Sequence, residues 1–167
     1  MSTIARTTPN NGNSLLRLSI VGGSIIGLLH IIFQIGIVFG LLFKSNFISS
    51  LQYIASGALG NFAFTGGIAT AMIGAILELI MTIIIAGLFI LIIGRISLPR
   101  PYIIVSSLLY GIGVFLVMNY IILPLSSAPK LPDPPTWLLI EIILEHILLI
   151  ALPLGILLRR NTSTAQH

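Results

Sequence analysis

The chain has no cysteine and little charge: eight Lys/Arg and four Asp/Glu among 167 residues, 7% of the total. Without cysteine there is no disulfide, no thiolate metal site and no thiol redox relay. That excludes small four-helix membrane oxidoreductases that pass electrons from dithiols to quinones. An ordinary soluble domain is about 25% charged, so the scarcity of charge excludes a soluble enzyme and a chain that is a disordered tail throughout. Eight basic residues are also too few and too scattered for a nucleic-acid footprint, despite a net charge of +4. No Gly-rich phosphate cradle and no serine nucleophile motif occurs, and no repeat of 20–50 residues is visible.

What is present is apolar. Hydrophobic residues make up 56% of the chain and the mean hydropathy is +1.12. A chain this short cannot hide so much apolar surface from water, so its solvent is lipid. Four uncharged runs are long enough to cross about 30 Å of hydrocarbon as helices, which takes about 20 residues each. They cover about 18–43, 67–94, 102–123 and 137–158. The first is bracketed by Arg17 and Lys44, the second ends at Arg95, the third is expected to stop at Pro124, and the fourth meets Arg159 and Arg160. The runs lack the period-two alternation of a barrel. The expected fold is therefore all-α: an integral membrane bundle of four transmembrane helices, flanked by a disordered tail over 1–17 and a second tail over 159–167. The first run is too long for a secretory signal and no A-x-A-like site follows it, so it is expected to stay attached.

Charge orients the bundle. Arg6, Arg17, Arg95, Arg100, Arg159 and Arg160 fall on one side of four spans, and only Lys44 and Lys130 on the other. The positive-inside rule then places both termini in the cytoplasm of a bacterial-type inner membrane. Two connections have character. Residues 44–66 are apolar for a loop, with Phe47, Ile48, Leu51, Tyr53, Ile54, Leu59 and Phe62, and are expected to form a short helix that lies at the outer interface or dips into the bundle mouth. The loop over 125–136 holds Pro129, Pro132, Pro134 and Pro135 and reads as extended and stiff.

The helix faces carry the functional clues. Ser19, Gly23, Gly27, His30 and Gln34 share one face of the first span; Gly67, Ala71, Gly74, Glu78 and Met81 share one face of the second. Small residues let membrane helices approach closely, which makes Gly23, Gly27, Gly67 and Gly74 packing candidates. Gly36 and Gly40 repeat the GxxxG pattern. At about 1.5 Å per residue, His30, Glu145 and His146 fall roughly 18–20 Å from the cytoplasmic end, and Gln34, Glu78, Asn119 and Glu141 roughly 24–26 Å. Seven polar side chains thus collect in one slab. A carboxylate at mid-membrane costs about 2.5–3.5 kcal/mol on insertion scales, so intramembrane acids mark function by default.

The cluster admits a proton relay, a cation path, a metal site, or plain interhelical hydrogen bonding. Bis-histidine haem ligation by His30 and His146, or a metal held by His30, Glu78, Glu145 and His146, is chemically permissible. The Glu-x-x-His spacing of di-iron bundles is absent, however, because Glu141 and His146 are five apart. No cofactor is expected. The partners expected are the lipid bilayer and, through the glycine faces, a second copy or another membrane protein.

Two stretches carry a resemblance. Ala55-Ser56-Gly57-Ala58-Leu59-Gly60 with Ala63-Phe64-Thr65-Gly66-Gly67, and Tyr110-Gly111-Ile112-Gly113-Val114 leading to Met118-Asn119-Tyr120 and Pro124-Leu125-Ser126-Ser127-Ala128-Pro129, resemble a family of small four-span bacterial membrane proteins with no assigned activity. The resemblance covers about 51–155, apart from the proline-rich loop. It implies the four-span architecture and a defined outer element over 55–67 that folds into the mouth of the bundle above Glu78. In that family a His stands at the position of Glu78, which implies a place for an ionisable group rather than a fixed ligand.

Overall fold

The computed structural model describes residues 12–33, 46–93, 96, 99–130 and 136–164, and every regular element among them is helical. Helix α1 covers Gly12–His30 and remains helical to Phe33; α2 covers Phe47–Leu59; α3 covers Gly67–Ile93. Helix α4 covers Arg100–Val117 and runs on through a π-helical stretch, Met118–Ile122, to Leu123–Leu125. The last span is built from α5, Thr136–Glu145, a second π-helical stretch, His146–Ala151, and α6, Leu152–Thr164.

Four of these helices are long and apolar enough to cross a membrane: Leu15–Phe33, Gly67–Ile93, Tyr102–Leu125 and Ile142–Arg160. Aliphatic side chains such as Ile20, Ile76, Ile84, Leu109 and Leu148 stand exposed along them. Monomeric soluble proteins rarely leave contiguous apolar surface on that scale in water. The chain is a multi-pass membrane protein, and these side chains meet lipid.

Two boundaries differ from the sequence expectation. Residues 12–17 belong to α1 and not to a tail, because Leu15 and Leu16 extend the apolar helix towards Gly12. The C-terminal tail likewise loses 159–164, which complete α6. The third span ends at Pro124 to within a residue, as expected: the helix closes at Leu125 and Ser126 is extended, while the π turn before it is closed by the Leu123 N–H donating to the Met118 carbonyl five residues back. The end expected for the first span, 34–43, lies outside the described residues, as do Gly36 and Gly40.

Helices α1 and α3 pack antiparallel on their small residues. A Cβ on Gly23 would lie 2.5 Å from the Cα of Ile83, and one on Gly27 would strike the Thr82 hydroxyl and the side chain of Leu79. Helices α4 and α6 form the second antiparallel pair: Gly155 lies against Ser107, and Gly111 against Ala151 and the His146 carbonyl. The pairs meet in an apolar core of Ile26, Ile85, Phe89, Ile90, Ile150 and Leu154. Tyr110 crosses between them, its ring 5.1 Å from that of Phe89 and its hydroxyl donating to the Ile85 carbonyl at 2.7 Å.

Helix α2 is the additional helix expected in the first loop. Asn46 caps it, its side chain accepting from the Ser49 N–H at 2.7 Å. It does not stand apart at the surface but folds back along the first turns of α3. The Leu51 carbonyl fills the space beside Gly74, while Gln52 Nε2 donates to the Gly67 carbonyl at 3.0 Å and to the Thr70 hydroxyl at 3.2 Å. The turn between the helices is a 3-10 stretch, Gly60–Phe64, with positive φ at Gly60 (58°) and Gly67 (57°). Gly67 is therefore no packing residue: a Cβ there would meet nothing within 4 Å, and the glycine serves the left-handed backbone that starts α3.

Candidate functional site

The inward stripe of α3 runs through Ala71, Gly74, Thr82, Ala86 and Phe89, with Glu78 on the same line four residues before Thr82. Thr82, rather than the half-buried Met81, continues the face below Glu78. Its hydroxyl donates to the backbone carbonyls of Glu78 and Leu79, both at 3.0 Å, which leaves a polar atom at the α1 contact without an unpaired hydrogen. On α1, Gly27 brings the backbone close to Thr82, and the next turn carries His30 to the level of Glu78.

His30 is the hub. Its Nδ1 lies 2.8 Å from Glu78 Oε1, and its Nε2 lies 2.6 Å from Glu145 Oε1. One imidazole from α1 thus joins a carboxylate of α3 to a carboxylate at the end of α5, across the junction of the two helix pairs. The surroundings are dry. The Glu145 side chain is 2% exposed, and those of His30 and Glu78 are 14% and 13% exposed. The contacts are short but not aligned as good hydrogen bonds. Three buried side-chain polar atoms among the described residues lack a well-formed partner, and two of them, His30 Nδ1 and Glu145 Oε1, are in this cluster. Tyr53 Oη on α2 is the third.

The other polar candidates divide. His146 Nδ1 donates to the Ile142 carbonyl at 2.8 Å, and its ring stands edge-on to Phe115 with centroids 5.7 Å apart. It neighbours Glu145 in sequence but turns to α4. Asn119 Nδ2 donates to the Phe115 carbonyl at 3.0 Å, a bond within its own helix. Both residues therefore stand outside the Glu78–His30–Glu145 cluster. Gln34 lies outside the described residues, and Glu141 has a described backbone in α5 but no described side chain. Ser19, Ser56 and Ser107, all buried, donate to carbonyls three or four residues back and add no free polar group.

Both ring nitrogens of His30 face carboxylates, so neither is turned towards an iron shared with His146. Because the carboxylates sit on opposite sides of the ring, their oxygens do not converge on one point. Among the described residues no group of three His, Asp or Glu side chains forms an ion-holding set.

No protein-family model matches the chain, and no curated protein or solved structure is detectably similar to it. The likeness noted over 55–67 and 110–129 rests on those residues alone.

Proposed function

We propose that this multi-pass protein is a small inner-membrane permeation protein that moves protons through the Glu78–His30–Glu145 cluster, with both termini in the cytoplasm. One observation carries this: a single buried imidazole has each nitrogen within 2.8 Å of a carboxylate from a different helix. A neutral imidazole has one N–H donor and one basic nitrogen. If Glu78 holds a proton and the ring carries its own on Nε2, Glu78 passes its proton to Nδ1 and forms the imidazolium. Nε2 then releases its proton to the Glu145 carboxylate. One proton has entered and one has left, and the ring is neutral again as the other tautomer. Rotation of the ring, which exchanges its two nitrogens between the carboxylates, resets it, whereas reversal of the two transfers returns the proton to Glu78. A metal cation has no such path, because the ring itself occupies the space between the carboxylates.

On the arginine-rich side of the cluster the core is closed, so a proton crosses there only when that core opens. Ile85, Phe89, Ile90, Leu154 and Leu158 fill it, and the hydroxyl of Tyr110 is spent on a backbone carbonyl. The alternative, an accessory subunit that binds a membrane partner through its glycine faces, has less to stand on. Gly23 and Gly27 are covered by α3, and Gly74 by α2 of the same chain.

Proteoliposomes with an internal pH dye and an imposed potential test the proposal. The wild type is expected to conduct protons, and Glu78→Gln, which cannot donate and recover a carboxyl proton, is expected to reduce the flux at least tenfold. Flux that is unchanged in Glu78→Gln, or absent in the wild type, refutes it.

A further inference from the structure

The last span buries Glu145, Ile150, Ala151, Leu154 and Leu158. From Ile150 to Leu154 to Leu158 the step is four residues, as on an α-helix. From Glu145 to Ile150 it is five. On an unbroken α-helix five residues carry a side chain about 140° around the axis, and the nine from Glu145 to Leu154 carry it about 180°. Glu145 would then share a face with Leu148 and Ile156, which are 54% and 39% exposed and stand on the lipid side. The π-helical stretch His146–Ala151 removes the conflict. Its hydrogen bonds join residues five apart, so Glu145 stacks above Ile150 and faces inward.

The cause of that stretch is in the sequence. Leu152-Pro153-Leu154 follows it directly, and the Leu152 N–H donates to the Ile147 carbonyl five residues back. A proline in a helix has no N–H to give and its ring collides with the carbonyl four residues earlier; the wider turn relieves that collision. The same arrangement occurs in the third span, where the π-helical stretch Met118–Ile122 precedes Leu123-Pro124-Leu125 with the equivalent bond from Leu123 to Met118. Two Leu-Pro-Leu segments thus show the same backbone response, although the π-helical turn over 31–33 in α1 has no proline beside it, so proline is one cause of such a turn among the described residues.

From this we infer that Pro153 is a positioning residue: by enforcing the π-helical turn it rotates Glu145 off the lipid face and onto His30. The inference concerns the same cluster as the proposed function, but its test reads side-chain coupling and not flux, so the two fail separately.

The test is a double-mutant cycle of His30→Ala and Glu145→Gln, measured on the folding equilibrium in detergent, in four backgrounds. In the wild type the two residues are expected to couple by about tenfold in the equilibrium constant. In Pro153→Ala the coupling is expected to fall to near unity, and in Pro124→Ala to persist. Deleting Leu148 together with Pro153→Ala places Glu145 and Ile150 four apart, the spacing the rest of the stripe already uses, and is expected to restore the coupling. Full coupling in Pro153→Ala alone overturns the inference. So does a deletion variant that folds without coupling or does not accumulate. If Pro153→Ala itself does not accumulate, the deletion variant decides.

Discussion

His30 is the residue on which most depends, because among the described residues it alone touches both carboxylates. Removing one member of a buried charged set leaves the rest uncompensated, at about 3–5 kcal/mol. His30→Ala is therefore expected to lower stability by that amount in a detergent unfolding titration. Asn119→Ala, which loses a bond within one helix, is expected to cost about 1 kcal/mol. Equal losses from the two would contradict the role given to His30. The acids and His30 were legible from the sequence because a charged group at mid-membrane needs a reason. Which of the seven polar residues meet was not legible, since it depends on rotations of each helix that composition does not encode. His146 illustrates this: it lies beside Glu145 in the chain, yet its ring packs on Phe115.

At the scale of elements, glycine has two separate uses. Gly23 and Gly74 are places where a neighbouring backbone fills the room of a side chain, by the Ile83 Cα and the Leu51 carbonyl respectively. A methyl there forces backbone to move, so Gly23→Ala and Gly74→Ala are each expected to cost about 1–3 kcal/mol. Gly67→Ala meets no atom and is expected to cost about 1–2 kcal/mol from its positive φ alone. Pairing each variant with a bulkier one separates the mechanisms in thermal unfolding. Gly23→Val is expected to be markedly worse than Gly23→Ala, whereas Gly67→Ser is expected to match Gly67→Ala.

Helix positions followed from hydropathy because lipid leaves the backbone few alternatives, and the small-residue face of α1 followed from its spacing. The effect of Pro153 did not. Pro124 reads as a terminator and the helix closes at Leu125, but Pro153 sits inside the last span and gives no sign in the hydropathy pattern that it changes the register of Glu145. The one signal in the sequence is the five-residue step between Glu145 and Ile150, which is meaningful only once the buried stripe below it is known.

At the scale of the molecule, two antiparallel pairs, α1 with α3 and α4 with α5–α6, are joined by the apolar core and, above it, by the Glu–His–Glu cluster. Orientation rests on the distribution of arginine. Single cysteines are simple to place in a chain that has none, so impermeant maleimide labelling of intact cells is the direct check. Cysteines at Ile96 and Thr164 are expected to stay unlabelled until the membrane is opened, and one at Ser127 to label at once. The reverse pattern would invert the topology without altering the cluster.

Sharing of one imidazole between two carboxylates is read out by nitrogen-15 NMR of histidine-labelled protein in bilayers. Glu78→Gln is expected to shift chiefly the Nδ1 resonance of His30 and Glu145→Gln chiefly its Nε2 resonance. If neither substitution moves either nitrogen, the imidazole does not bridge the glutamates, and the proposed relay has no site.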